Sequence, residues 1–231
     1  MRRRSAIGAT LIPLTATTIA LPACGDRKPI PKIEPPVVPP FSPTSLHTQL
    51  DRLLSAYAAR SPVTQQYLLP GLTETQILEQ TAWFPKPLPR EVMSLYQWRN
   101  GYSAPKNSDV LPFMFRDYTF LPLKDVEKEY RSMNDTYGRH PTDTDLLASS
   151  FPFAALGGGW LVIAAVKQGL APSLERPVIS VFQGVSIFFY SVEKMAETCT
   201  AWLAHPKHDG FSIPPKHELE VWRQVNPGIF P

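Results

Sequence analysis

The chain has 231 residues, of which 43% are hydrophobic and 26 are proline, and this is enough apolar material for one globular domain with a buried core. Its formal net charge of +3 comes from 23 basic and 20 acidic residues, and Arg2, Arg3 and Arg4 account for the whole excess. Because no basic cluster stands out elsewhere, the composition argues against a nucleic-acid partner.

Residues 1–23 have the pattern of a secretory signal peptide. MRRRS is positively charged, AIGATLIPLTATTIA is apolar, and LPA places a small residue before Cys24. The order Leu-x-Ala-Cys resembles the lipobox of a bacterial lipoprotein signal, which implies cleavage before Cys24 and a lipid on its sulfur. We therefore expect a lipid-anchored protein of the cell envelope that faces the periplasm or the exterior.

Other roles for Cys24 have less support in the sequence. A signal cut at another position and an uncleaved anchor remain as alternatives, although the apolar stretch is short for a membrane span. The spacing does not favour a disulfide with Cys199, and no neighbouring histidine or cysteine completes a zinc site around Cys24. A nucleophilic role would require a folded scaffold around Cys24, but the residues that follow it are not predicted to fold.

Residues 24–43 are predicted to be the lipidated cysteine and a Pro-rich tether. Proline fixes φ and lacks a backbone donor, so this composition disfavours helix and sheet. A polyproline II conformation, at about 3.1 Å per residue, would let the tether reach about 60 Å. We expect it to be dispensable for folding, and we assign residues 44–231 to the folded domain.

Four helices are predicted in the first half of the domain, within residues 45–60, 71–84, 86–101 and 123–138. Thr73 and Gln76 have the spacing of a capping box at the start of the second helix. Pro89 is expected in the first turn of the third helix, which Asn100 and Gly101 are expected to end in a left-handed cap.

Strands are predicted in three stretches, one before the fourth helix and two after it. Residues 109–123 read as one or two strands, 156–166 as a glycine turn and a buried strand, and 177–191 as two further strands. Helices are predicted to follow within residues 191–204, beginning at the cap Ser191, and within 216–225. Since strands and helices do not alternate regularly, the order of elements predicts an α+β fold.

The segment TETQILEQTAWFPKPLPREVMSLYQWRNG, residues 73–101, resembles the opening signature of the Smi/Knr-type domain of the SUKH superfamily. The order of the later segments also agrees, so that the resemblance covers residues 73–228. It implies one α+β domain with a central, mostly antiparallel sheet flanked by helices. It also implies a non-enzymatic protein, since members are cell-wall assembly regulators and bacterial immunity proteins that bind toxins. Leu156 stands where the family commonly has an acidic residue before the glycines.

No catalytic, cofactor or metal-binding constellation is predicted. G-x-S-x-G, Walker and H-E-x-x-H motifs are missing from the sequence, and the glycines 157–159 precede a strand rather than a helix. Several single residues could suggest chemistry, but surface, helix-start or core positions account for them: Glu91, Glu127, Glu129, Asp143, Asp145, Cys199, His205 and His208.

A partner-binding surface is predicted around the end of the third helix. It comprises four neighbouring residues and one tryptophan after the glycine turn: Trp98, Arg99, Asn100, Tyr102 and Trp160. Trp, Tyr and Arg are enriched at binding hot spots. The alternative is that Trp98 and Trp160 are core residues.

Three functions follow from these observations. The leading one is a lipid-anchored immunity protein that neutralises a toxin in the cell envelope. The second is an envelope or cell-wall adaptor that acts as a scaffold. The third, a small-molecule-binding or hydrolytic lipoprotein, has least support because no catalytic constellation is predicted.

Overall fold

A computed structural model describes residues 40–103, 113–138, 144–165, 176–206 and 215–229. The signal peptide, Cys24 and the tether up to residue 39 lie outside these ranges, as do Asp143 and His208. The described residues all belong to one compact unit, Ile33–Pro231. Among their helices, none has the combination of length and hydrophobicity that crossing a bilayer requires.

The N-terminal part is mainly helical. In chain order it contains α1 (Pro43–Arg60), a 3-10 helix (Pro62–Tyr67), β1 (Leu68–Pro70), α2 (Glu74–Gln80), α3 (Arg90–Trp98) and β2 (Arg99–Tyr102). The remaining elements are β3 (Met114–Phe115), β4 (Tyr118–Phe120), α4 (Leu123–Tyr137), α5 (Thr144–Ala148), β5 (Ser150–Leu156), β6 (Gly159–Ala164), β7 (Val178–Val181), β8 (Val185–Phe189), α6 (Val192–Ala204) and α7 (Pro215–Val225).

The central sheet has six strands in the sequential order β3-β4-β5-β6-β7-β8, and every neighbouring pair is antiparallel. The strands β1 and β2 form a separate antiparallel pair. An antiparallel meander with helices before and after it confirms the predicted α+β class.

Two buried clusters lie against this sheet. Along β6, Leu161 and Ile163 belong to the larger cluster, whereas Trp160, Val162 and Ala164 belong to the smaller one. This alternation follows from the two-residue period of a strand. Buried residues of α1, α3, α6 and α7 contribute to the larger cluster, and the smaller cluster is completed by one residue each of α4 and α5.

The predicted helix starts are largely confirmed. Gln76 N–H donates to Thr73 Oγ1 at 3.3 Å, and Thr73 N–H donates to Gln76 Oε1 at 2.9 Å, which completes the capping box. Lys194 N–H donates to Ser191 Oγ at 3.1 Å at the start of α6. Pro89 is the N-cap residue of α3, one position before the predicted first turn.

The predicted end of α3 is wrong. The helix stops at Trp98, and the next four residues form β2, so Asn100 and Gly101 do not cap it. Gly101 does have a positive φ of 80°, as a left-handed cap would, but it adopts this conformation within a strand. Contacts with the chain before α4, described below, account for this difference.

The predicted boundary between tether and domain also changes. Pro43 is the first residue of α1, and Ser42 caps the helix by accepting a hydrogen bond from Ser45 N–H at 3.3 Å. Phe41 is half-buried against the larger cluster. The folded domain therefore includes residues 41–43, since these residues satisfy a helix donor and bury apolar surface.

We expect two shortened chains to separate the tether from the domain. A chain that begins at Pro40 should melt within about 2 °C of one that begins at Cys24, whereas a chain that begins at Thr44 should melt about 4–8 °C lower. The reason is that the shorter chain loses both a helix cap and the Phe41 contact, at about 1 kcal/mol each. Thermal unfolding followed by circular dichroism measures the difference. Equal melting temperatures for all three chains would show that residues 41–43 do not contribute.

Candidate functional site

Trp98 is a core residue that joins α3 to α1. Its side chain is 5% exposed, and its Nε1–H donates to Asp51 Oδ1 at 2.8 Å. The indole also packs against the ring of Phe113, with the ring centroids 5.7 Å apart. A buried tryptophan whose one donor is satisfied within the fold has nothing left to offer a partner.

Asn100 and Gly101 hold β2 against the chain that precedes α4. Leu123 N–H, in the first turn of α4, donates to Asn100 Oδ1 at 2.9 Å. A Cβ atom at Gly101 would lie 2.2 Å from Pro122 N and 2.4 Å from Leu121 O. The pair therefore has a structural role, because it satisfies a helix-start donor and allows two backbones to touch.

Arg99 and Tyr102 are less accessible than a binding surface requires. The half-buried Arg99 donates from Nη1 to Trp98 O at 2.8 Å and places its guanidinium 5.4 Å from the centroid of the Trp98 ring. Tyr102 is only 7% exposed, and burial raises the pKa of its hydroxyl. Its ring meets that of Tyr67 edge-on, with the centroids 6.1 Å apart.

Trp160 belongs to the smaller cluster. Its side chain is 2% exposed, its Nε1–H donates to Glu129 Oε2 at 2.8 Å, and its ring meets that of Tyr137 edge-on. Trp98 and Tyr102 belong to the larger cluster, so the five predicted partner-binding residues do not form one surface. The alternative interpretation of Trp98 and Trp160 as core residues is the one that the burial supports.

Two partly buried polar pairs have the residue types of catalytic groups. Ser94 Oγ lies 3.0 Å from His47 Nε2, but the same nitrogen lies 2.9 Å from Ser94 O. A carbonyl oxygen can only accept, so Nε2 carries the hydrogen and cannot act as a base toward the hydroxyl. Glu91 lies in the first turn of α3, which fits its predicted helix-start role. It is 5% exposed and its Oε2 lies 3.5 Å from Arg176 Nη1, so it is also a buried ion-pair partner.

Cys199 is buried on α6, as predicted. It is 2% exposed, and burial raises the pKa of its thiol from 9.0 to about 12, although the neighbouring Arg116 partly opposes this. A thiol with this pKa carries almost no thiolate at neutral pH and is a poor nucleophile. Within the described ranges, no three His, Cys, Asp or Glu side chains converge as a metal site would require.

The exposed apolar side chains give a different candidate site. Leu156 and Phe182 are 49% and 52% exposed, and both lie beside Gly159. Leu156 is paired with Gly159 across the β5–β6 hairpin, and a Cβ at Gly159 would lie 3.0 Å from Phe182 Cδ2. The two side chains therefore flank one glycine on the same face of the sheet.

Two hairpin turns meet at this end of the sheet. Residues 157–158 connect β5 to β6, and residues 182–184 connect β7 to β8, while Trp160 pairs with Val181 between them. The surface consists of six exposed residues, which we call the hairpin-tip surface: Leu156, Gly157, Gly158, Phe182, Gln183 and Gly184.

The sequence contains a pattern that indicates this surface, namely an apolar residue next to each of two predicted turns. The predicted partner-binding residues include Trp160, which follows the glycine turn, but not Leu156, which precedes it. Phe182 directly precedes the predicted turn at Gln183 and Gly184. A side chain at the end of a strand has strand neighbours on one side only, so it is packed less completely than one in the middle. An apolar residue at the last position before a tight turn is the pattern that could have been used.

The chain matches no known protein-family model, and its comparison with curated proteins likewise finds no match.

We expect Gly101→Ala to destabilise the protein far more than Gly158→Ala. Both glycines have a positive φ, 80° and 91°, so each substitution carries a conformational cost of about 1–2 kcal/mol. Only at Gly101 would the new methyl group also meet backbone atoms, since nothing lies within 4 Å of the position at Gly158. Urea unfolding should give a difference of about 2 kcal/mol or more between the variants. Equal losses would mean that the contact with Leu121 and Pro122 does not constrain the fold.

We expect the buried thiol to make stability depend on pH above 9. Between its ordinary pKa of 9.0 and its folded value of about 12, the unfolded chain releases the Cys199 proton while the folded chain keeps it. Stability should therefore fall as pH rises, by about 1.4 kcal/mol more in the wild type than in Cys199→Ala between pH 8 and 10. Urea unfolding of both proteins at the two pH values measures this. The tyrosines titrate in both proteins and cancel, and an identical pH dependence would contradict the assignment.

Proposed function

We propose that this chain is a lipid-anchored protein-binding domain of the Smi/Knr type that neutralises a toxin in the cell envelope by occluding it. The observation that carries the protein-binding part is the hairpin-tip surface. There, Leu156 and Phe182 remain half-exposed beside one glycine, although large apolar side chains elsewhere in the two hairpins are packed. Exposed apolar side chains that lie on one face at neighbouring hairpin turns extend over a common surface, as they do at interaction sites.

The way in which the chain uses its LYQWRNG motif supports the Smi/Knr part of the proposal. Tyr96 O–H donates to Leu121 O at 3.1 Å. Asn100 accepts a hydrogen bond from Leu123 N–H, and Gly101 lies against the backbone of Pro122. Trp98 binds Asp51 of α1. These contacts join the motif to α1 and to residues 121–123, so the motif residues help to determine the fold. A resemblance over residues 73–228 would reflect such a shared fold.

The sequence that precedes the domain supports the lipid anchor. Leu21, Ala23 and Cys24 have the spacing of a lipobox after a basic and apolar segment, and a Pro-rich tether follows. Removal of residues 1–23 leaves 20 basic and 20 acidic residues, so the mature chain has no net charge to attract nucleic acid or anionic lipid. An anchored, neutral binding domain is suited to intercepting a protein at the membrane.

The proposal predicts stoichiometric protection that depends on the anchor. Full-length protein isolated from its native membrane should co-purify with a partner toxin at one-to-one stoichiometry and inhibit it without turnover. Cys24→Ser should leave the membrane fraction and protect cells poorly, because it cannot be lipidated. Cys199→Ala is the matched control, since it removes the other cysteine and leaves the anchor. Cell survival, fractionation and inhibition titrations are the measurements.

Each alternative has a distinct result. Protection by amounts far below one-to-one would indicate an enzyme. A co-purifying cell-wall synthesis protein, with no toxin, would favour the adaptor function. Full protection by Cys24→Ser, or its retention in the membrane fraction, would contradict the lipid anchor.

A further inference from the structure

Phe182, Gly159 and Leu156 form a row across three neighbouring strands. Gly159 begins β6 and has no side chain, so the Phe182 ring from the β7 side leans over it. Leu156 stands opposite Gly159 on the β5 side. Strands separated by one neighbour lie about 10 Å apart, which leaves the two apolar side chains on either side of a bare backbone.

The position of Phe182 is fixed by its turn. Phe182 N–H donates to Gly184 O at 3.0 Å, and Gln183 N–H donates to Tyr137 Oη at 3.1 Å, which ties the turn to the end of α4. Gln183 has a φ of 53°, a left-handed conformation that is uncommon for a residue other than glycine. A turn that is held from two sides fixes the backbone from which the Phe182 side chain projects, so less backbone entropy is lost on binding.

The two hairpins are uncharged throughout. Residues 150–164 and 178–189 contain no Asp, Glu, Lys, Arg or His, although 19% of the whole chain is charged. Charged residues are depleted at the centres of protein interfaces, whereas surfaces that bind anionic membranes carry Lys and Arg beside their apolar residues. The neutral hairpin-tip surface therefore fits a neutral, apolar site on a protein better than a membrane.

The shape of the surface limits the partner further. Leu156 ends β5, the exposed positions 157–158 and 182–184 are turns, and the Cβ positions at Gly157, Gly158 and Gly184 have no atom within 4 Å. Such protruding turns are convex, so two copies of this chain would oppose convex surfaces. Two half-exposed side chains also offer far less than the about 800 Å² that each member of a stable pair usually buries. A concave partner can enclose the turns and gain the missing area.

We propose that Phe182, positioned by Gly159 and flanked by Leu156, is the anchor that enters an uncharged apolar recess of the partner protein. This inference rests on the proposed protein-binding function and names the surface that carries it. The geometry makes Phe182 the central contact, Leu156 a second apolar contact, and Gly159 a positioning residue that a partner need not touch.

The test compares four single variants of the full-length protein for affinity to the protein that co-purifies with the wild type. Phe182→Ser should bind about 30-fold more weakly or worse, as for a hot-spot residue, and Leu156→Ser should bind about 5-fold to 10-fold more weakly. Gly159→Ala should weaken binding about 10-fold although it adds apolar surface, because the methyl group displaces the Phe182 ring. Leu78→Ser on α2 is the matched control, since Leu78 is 50% exposed, and it should bind as the wild type does.

Melting temperatures of all four variants, measured in parallel, exclude unfolding as the cause of weaker binding. If Phe182→Ser binds the partner with an affinity within threefold of that of the wild type, this proposal is overturned and the proposed function remains intact. Equal weakening by Leu78→Ser overturns it as well, since that would indicate general adhesion. If no protein co-purifies with the wild type, the proposed function fails and this inference fails with it.

Two direct assays test whether the hairpin-tip surface binds a membrane or a second copy of this chain instead. Cys24→Ser protein, which lacks the lipid, is mixed with vesicles of phosphatidylcholine and phosphatidylglycerol, and its oligomeric state is measured by light scattering. We expect no vesicle binding and a monomer. Vesicle binding or dimer formation that Phe182→Ser abolishes would assign the surface to a membrane or to a second copy, and either result overturns the proposal.

Discussion

The contact between the LYQWRNG segment and residues 121–123 determines how the helical first half meets the sheet. Tyr96 donates from its buried hydroxyl to Leu121 O, Gly101 leaves room for the backbone of Leu121 and Pro122, and Asn100 accepts from Leu123 N–H. Because β4 ends directly before this segment and α4 begins within it, the contact orients both elements relative to α3. Burial raises the pKa of the Tyr96 hydroxyl well above its usual range, so the hydroxyl remains a donor at all ordinary pH values.

This constraint explains why the residues of the LYQWRNG segment do not form the binding surface that their residue types predict. Trp98 and Trp160 each satisfy their indole N–H with a carboxylate of the same chain, and both are nearly inaccessible. Hot spots are enriched in tryptophan because its polar edge and large apolar area can be buried together, but a core offers the same opportunity. Residue type alone therefore could not separate the two roles.

The proposed binding surface lies where the fold imposes fewer demands. Turns between antiparallel strands must satisfy φ and hydrogen-bond requirements, which the glycines and Gln183 meet, but their side chains pack against little. Because both hairpins lack charge, the proposed contact with Phe182 and Leu156 would depend on apolar burial and shape.

Sequence by itself determined the local features of this protein. The Thr73–Gln76 capping box, the Ser191 cap, the buried face of α6 with Cys199 and the α+β order of elements all depend on neighbouring residues and on short-range periodicity. The end of α3 and the solvent exposure of Tyr102 were predicted wrongly, because each depends on a segment distant in sequence. Leu156 and Phe182 are 26 positions apart in the chain, and only the pairing of β5, β6 and β7 brings them to the same glycine. Strand register is set by packing over the whole sheet, so no local pattern could place these two side chains together.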